Sequence, residues 1–195
     1  IQRLLPALGI VALSQPEERE HRYSSLRHVS HLGIVTGMRS ETICLESAPS
    51  HIINEYNFTF CAGGSPGRAY TGAERLLRNG ANALVSFGIA GALDPTLTPG
   101  QIVLAKNVID SAGKQFQADK IWHSSLTEIL TPHVEFSCGS IATVEIAATT
   151  PTEKASLFAR TGALAVDMES SGVAAAATRH NIPFIAIRAI ADPAS

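Results

Sequence analysis

Residues 163–192, ALAVDMESSGVAAAATRHNIPFIAIRAIAD, run from a short apolar segment through an alanine-rich stretch into a second apolar segment. The pattern predicts a strand over 163–168, a helix over 169–180 and a strand over 182–191. The second strand is apolar for eight positions except Arg188. A strand–helix–strand unit of this kind implies parallel strands covered on both faces and joined by a right-handed crossover. Asp167 and Glu169 close the first strand, and Asp192 follows the second. Acidic residues do not belong in a buried strand unless something there needs them.

Working outward, 31–38 (HLGIVTGM) reads as a strand ending at Gly37, and 70–81 (YTGAERLLRNGA) as a helix with Leu76 and Leu77 inward and Gly80 as its stop. Residues 83–93 (ALVSFGIAGAL) read as a buried strand running into a glycine turn, and 100–110 (GQIVLAKNVID) as another strand. Residues 120–130 (KIWHSSLTEIL) form an amphipathic helix with Trp122 and Leu126 on one side. Residues 138–147 (CGSIATVEIA) read as a strand, and 150–161 (TPTEKASLFART) as a helix opened by Thr150 with Pro151 at its first position. The alternation of strands and helices predicts a single α/β domain, a mostly buried sheet wrapped by helices.

The bulk properties agree with that class. The chain has 195 residues, 45% hydrophobic and 16% charged, enough for one domain with a sizeable core. A formal charge of −2 with scattered basic residues leaves no electrostatic footprint for nucleic acid. Cys44, Cys61 and Cys138 are odd in number and widely spaced, which favours ordinary thiols in a reducing compartment. The seven histidines form no HxxxH pair, so no metal site is expected. No apolar run reaches the roughly 18 residues that span a bilayer. Residues 1–15 (IQRLLPALGIVALSQ) faintly resemble a signal peptide, but a surface element in an N-terminal extension is the preferred reading. Residues 14–30 are polar and without apolar period, as in a linker or exposed helix. The expected division is therefore an extension or linker over 1–32 and one domain over 33–195.

In open parallel sheets ligands sit at the carboxyl ends of strands. Four such ends carry something unusual: TGMRSE with Glu41, the turn GIAGAL, DMES, and RAIAD. If these strands are neighbours, Glu41, Glu169 and Asp192 converge on one cleft. Three carboxylates around a cleft suit a cationic, oxocarbenium-like transition state, one protonating a leaving group and another activating water. A carboxylate also accepts two hydroxyls of a ribose diol. Glu169 at a helix N-terminus is expected to stay ionised and bind a diol. Asp192 after an apolar strand is expected to be buried, with a raised pKa suited to an acid. Alternation along a strand turns Asp167 to a structural task. Plainer readings stand beside these: a surface helix-start acid for Glu41, a first-turn acid for Glu169, a turn or cap for Asp192. Residues 61–68 (CAGGSPGR) lack P-loop spacing and its lysine, and a plain turn is favoured.

With these residues in view, the sequence resembles the nucleoside phosphorylase and nucleosidase superfamily. GIAGALDPTLTPGQIVLAKNVID resembles its glycine turn and following strand, ALAVDMESSGVAAAA its ribose-binding strand–helix, and PFIAIRAIAD its closing strand with the catalytic acid. Within the superfamily, SPGRAYTGAERLLRNGANALVSFGIAGALDP and EKASLFARTGALAVDMES are most similar to the hopanoid-associated nucleosidase/phosphorylase group. The resemblance implies a three-layer α/β/α fold with a mixed, partly barrel-like sheet, and release of adenine from an adenosylhopane-like nucleoside. It implies that Asp192 protonates purine N7, Glu169 binds the ribose hydroxyls, Met168 packs on the sugar, Glu41 activates water and Arg188 orders the site. Ala90 and Gly91 would lie beside sugar and base, and Ile146 and Ala147 would contribute backbone to the base pocket.

The resemblance further implies no cofactor, inorganic phosphate as a possible co-substrate, a small-molecule nucleoside as partner, a homodimer or larger homo-oligomer, and a cytoplasmic location, peripheral to the membrane if the nucleoside is lipid-linked. A purine nucleoside phosphorylase or methylthioadenosine/S-adenosylhomocysteine nucleosidase is the alternative. A non-catalytic nucleoside-binding protein is the alternative of another class. Departures from the pattern are Ile89 and Ala191 in place of serines, and Ser40 and Ser86 where phosphorylases carry phosphate-binding arginines. The latter pair argues for hydrolysis unless Arg39 or Arg68 substitutes. Relatives continue into a helix over the site beyond the position of Ser195, so either the sequence is a fragment or that helix is absent.

Overall fold

A computed structural model describes residues 31–46, 57–132 and 134–195. Of the expected extension over 1–32 only His31 and Leu32 are among the described residues, and the signal-like run and the linker lie outside them. The strands are β1 (Leu32–Thr36), β2 (Asn57–Cys61), β3 (Ala83–Ala92), β4 (Ile102–Ile109), β5 (Gln115–Gln117), β6 (Phe136–Thr143), β7 (Ala165–Asp167) and β8 (Phe184–Asp192). The helices are α1 (Arg39–Glu46), α2 (Pro66–Arg78), α3 (Lys120–Leu130), α4 (Pro151–Thr161) and α5 (Ser170–His180).

The strands form one mixed sheet in the order β2-β1-β3-β7-β6-β4-β5, and β8 pairs with both β3 and β4. That double pairing closes β3, β7, β6, β4 and β8 into a five-stranded ring, with β1 and β2 extending it from β3. The mixed, partly barrel-like α/β architecture is thus present. One expectation fails. β7 and β8 are not parallel neighbours: β7 pairs antiparallel with the end of β3 at Gly91 and Ala92, whereas β8 pairs parallel along Leu84–Gly91. An apolar strand–helix–strand pattern reports burial on both faces, and a barrel satisfies that burial with another strand in between. β6 also stops at Thr143 rather than 147, because β7 ends opposite it and turns away into α5, leaving no strand to pair with.

Period-2 alternation divides the core between two faces. Val35, Leu84 and Ala186 face α2 and α5, packing with Ala69, Ala73, Leu76, Val173 and Ala177. Their neighbours Ile34, Val85, Phe87, Ile185 and Ile187 face the other way, onto Leu45 of α1 and Trp122, Leu126 and Leu130 of α3. α4 seals one end through Leu157, against Leu93, Ala142 and Val166. Its start is fixed by a capping box between Thr150 and Glu153, with Pro151 in the first turn. The α2–α5 contact needs Gly172: a Cβ there would lie 2.0 Å from the Pro66 carbonyl oxygen. Among the described residues no helix is long and apolar enough to cross a membrane.

Candidate active site

The β1–α1 turn carries Glu41 in the first turn of α1, but the residue is not the surface acid that such a position suggests. It is 5% exposed. Its Oε2 accepts the backbone N–H groups of Gly37 and Met38, each at 2.8 Å, and its Oε1 accepts the N–H of Ile89 at 2.8 Å. One carboxylate therefore ties the end of β1 to Ile89 of β3, which does not turn at its glycines as expected but runs on as a strand to Ala92, with a register shift between Ala90 and Gly91. Gly88 makes the approach possible, since a Cβ there would stand 2.6 Å from Glu41 Oε1.

Glu169 immediately precedes α5 and is buried. Its Oε1 lies 2.5 Å from where a Gly37 Cβ would be, so Glu41 and Glu169 meet on either side of Gly37. Gly64 lies nearby, its Cβ position 3.9 Å from both Glu169 Oε1 and Met168 Sδ. Glu169 makes no side-chain cap to α5. Burial pushes its pKa upward, the Arg188 charge pulls it partly back, and the charges of Asp167 and Glu41 push it up again. The direction of that shift is opposite to the downward pull expected of the helix dipole. A dipole contributes at most about 2 kcal/mol at a helix end, and withdrawal from water outweighs it.

Arg188 comes up from β8 beneath these acids and is 1% exposed. Its Nη2 lies 2.7 Å from Asp167 Oδ2 and 4.0 Å from Glu169 Oε2, and donates to Ser86 Oγ at 2.7 Å and Ser170 Oγ at 3.0 Å. Asp167 is taken up entirely by protein groups: its Oδ1 also accepts from Thr143 Oγ1 at 2.7 Å and from the Ser170 N–H at 3.3 Å. It supports the cluster rather than facing a ligand. Ser86 and Ser170 are buried with the guanidinium.

Asp192 ends β8 and corrects a second expectation. Its side chain is 59% exposed, so burial does not make it an acid. Its Oδ2 is 2.6 Å from Nζ of Lys154, whose side chain is 4% exposed and which also donates to the Pro193 carbonyl. Sequence reading missed Lys154. The signal was present: Lys154, Leu157, Phe158 and Thr161 share one helical stripe, and a lysine inside an apolar stripe asks for a partner. Asp192 pairs in register with Gly91, whose Cβ position is 3.8 Å from Asp192 Oδ2.

The structure thus brings Glu41, Glu169, Met168 and Arg188 to the Gly88 end of the last part of β3, and Ala90, Gly91 and Asp192 to its Gly91 end. Ile146 and Ala147 are exposed in the loop after β6. Met38 and Ile89, whose N–H groups hold Glu41, keep exposed apolar side chains, 43% and 36% respectively. Arg68 donates to the Gly63 carbonyl and Ser65 caps α2, as in a plain turn. Among the described residues no group of three or more His, Cys, Asp or Glu side chains is placed to hold a metal ion.

Comparison with known proteins places this geometry. The Phosphorylase superfamily profile matches residues 62–195. A DeoD-type purine nucleoside phosphorylase of Streptococcus pyogenes serotype M5 (strain Manfredo) is 25% identical over 144 residues, 66% of this chain and 59% of the relative. The chain therefore spans about three-fifths of the length of that relative. Among solved structures, the 5′-methylthioadenosine/S-adenosylhomocysteine nucleosidase of Helicobacter pylori superposes with a TM-score of 0.76 at 18% identity, covering 87% of this chain and 88% of that one. The S-adenosylhomocysteine nucleosidase of Streptococcus pyogenes gives 0.76 at 20%, covering 86% of each chain. Futalosine hydrolase of Helicobacter pylori strain 26695 also gives 0.76 at 20%, covering 86% of each. These likenesses show a shared fold.

Proposed function

The chain belongs to the phosphorylase superfamily, and from that premise we propose that it cleaves the N-glycosidic bond of an adenine nucleoside and releases adenine. One observation carries the reading: Glu41 and Glu169 flank Gly37 beside Gly88 of β3, and Asp192 stands beside Gly91 further along the same strand. From Gly88 to Gly91 is three residues, about 10 Å at roughly 3.3 Å per strand residue. That span accommodates a ribose at one end and its base at the other.

In this reading Asp192 donates its carboxyl proton to purine N7. The C1′–N9 bond breaks and its electron pair passes to the base, leaving an oxocarbenium-like sugar. Water adds at C1′ and loses a proton to Glu41, and the two acids reset through solvent. Glu169 accepts the ribose hydroxyls, with Met168 against the sugar, and its ionised form stabilises the cation. Arg188 fixes Glu169 from below. Ala90 and Gly91 border sugar and base, and Ile146 and Ala147 supply backbone to the base when their loop folds over it.

Water is the favoured acceptor. Ser40 and Ser86 stand where phosphorylases carry arginines, and the guanidinium beside Ser86 is already committed to Asp167. The exposed apolar side chains of Met38 and Ile89 support an apolar 5′ substituent, as in adenosylhopane. A homodimer at the cytoplasmic membrane surface fits such a substrate. The test is adenine release from adenosylhopane and from methylthioadenosine, with and without inorganic phosphate. Phosphate-independent release, faster from adenosylhopane, is expected. Strict phosphate dependence makes the protein a phosphorylase, and intact nucleoside held without release makes it a binding protein.

A further inference from the structure

We propose that Lys154 is the positioning residue for Asp192, holding Oδ2 and the following carbonyl so that Oδ1 faces the leaving base. The proposal rests on the reading of Asp192 as the acid. Lys154 and Asp192 are not an ordinary surface pair. The ammonium end is buried in α4 while the carboxylate is mostly exposed. An ammonium withdrawn from water is costly unless it is paired. Its partners are Asp192 Oδ2, at 2.6 Å, and the Pro193 carbonyl. The anchor is therefore in the core and the held group is at the surface.

The local sequence serves that hold. Lys154 shares the inner stripe of α4 with Leu157, and both are buried. The lysine stem crosses Gly91, where a Cβ would meet Lys154 Cε at 3.6 Å and Asp192 Oδ2 at 3.8 Å. A free aspartate at an exposed strand end samples several rotamers. Here one oxygen is fixed from behind, and among the described residues Oδ1 has no hydrogen-bond partner.

The charge matters as well as the grip. When Asp192 passes its Oδ1 proton to N7, a carboxylate forms beside the ammonium. Lys154 keeps its proton and compensates the new negative charge without moving, as a preorganised group does.

A double-mutant cycle tests this, using Lys154→Met, Asp192→Asn and the double variant, with kcat, KM and melting temperature measured for each. Lys154→Met keeps most of the stem and removes the buried charge, so folding is preserved. Its kcat should fall about 10- to 100-fold, the order expected for a misplaced catalytic group, with KM little changed. In the Asp192→Asn background the same change should cost nothing further. Lys154→Arg should recover part of the loss. Equal losses in both backgrounds, or an unchanged kcat in Lys154→Met, would overturn the proposal while leaving the acid in place. An unchanged rate in Asp192→Asn sinks the acid assignment itself, and this inference with it. If no nucleoside is turned over, the same cycle read by calorimetry of adenine binding decides: additive losses refute the link and non-additive losses support it.

Discussion

Asp167 and Arg188 meet at 2.7 Å in the interior, although their strands, β7 and β8, never pair with each other. The ion pair spans the barrel between strands that share only β3 as a neighbour. Both side chains are almost wholly withdrawn from solvent. Breaking a buried pair by removing one partner costs about 3–5 kcal/mol, because an uncompensated charge stays behind. Asp167→Ala also strands Thr143 and Ser170. It should lower the unfolding free energy by an amount in that range, read as a lower urea midpoint with little change in slope. Asp167→Asn keeps the shape and one acceptor, and should cost less than alanine.

Glu169 should make stability fall with rising pH. The folded protein holds this proton more tightly than the unfolded chain does, since burial raises its pKa above the ordinary 4.5. Its contribution is fully present below the unfolded value and is lost as pH rises through the raised folded value. Glu169→Gln should therefore melt higher than the wild type at neutral pH, with the advantage disappearing toward pH 4. The same variant should bind nucleoside less well, because an amide presents one acceptor oxygen where the carboxylate presents two. Equal melting temperatures across that range would remove the buried charge as a cause.

Much of this was legible in the sequence, for physical reasons. Helix α4 announces itself by an apolar stripe and the cap at Thr150 and Pro151, and α5 by its alanine-rich run. The meeting of Glu41 with Glu169 was legible because both follow strand ends beside glycines. Partner choice was not. Residues 182–191 look the same whether β8 lies beside β7 or beside β3, because burial on both faces leaves one pattern. The burial expected of Asp192 failed for a related reason: apolar residues describe the strand up to Ile190, and the chain is already emerging at Ala191. Lys154 was visible as an anomaly in an apolar stripe, but its partner is 38 residues away and only the fold supplies it.

Glu41 joins structure to chemistry, and its amide variant should lose both. Three backbone N–H groups point at two carboxylate oxygens. In Glu41→Gln one terminal position becomes an NH2 facing at least one donor. An unsatisfied buried donor costs about 1–3 kcal/mol. Purine release should fall about 10²- to 10⁴-fold if the carboxylate takes a proton from water. A variant that loses stability yet keeps its turnover would restrict Glu41 to tethering β3 at Ile89.

Two glycine-to-alanine changes separate the site from the scaffold. At Gly172 the added methyl meets backbone, the Pro66 oxygen at 2.0 Å and the Tyr70 nitrogen at 2.9 Å, so α2 and α5 must move apart. Alanine gains about 1 kcal/mol of helix propensity over glycine. Overpacking typically costs about 1–3 kcal/mol and more where backbone must shift. Gly172→Ala should therefore melt well below the wild type. At Gly37 the methyl meets the far end of a flexible side chain, Glu169 Oε1 at 2.5 Å. Glu169 can swing aside, and alanine narrows the unfolded ensemble by a few tenths to about 1 kcal/mol. Gly37→Ala should melt close to the wild type and release adenine on the order of 10²-fold more slowly, because the ribose-binding carboxylate is displaced by about 1 Å. Calorimetric melting and the release assay on the same two preparations decide the matter. If both variants lose stability alike, the pocket around Gly37 belongs to the core rather than to a ligand.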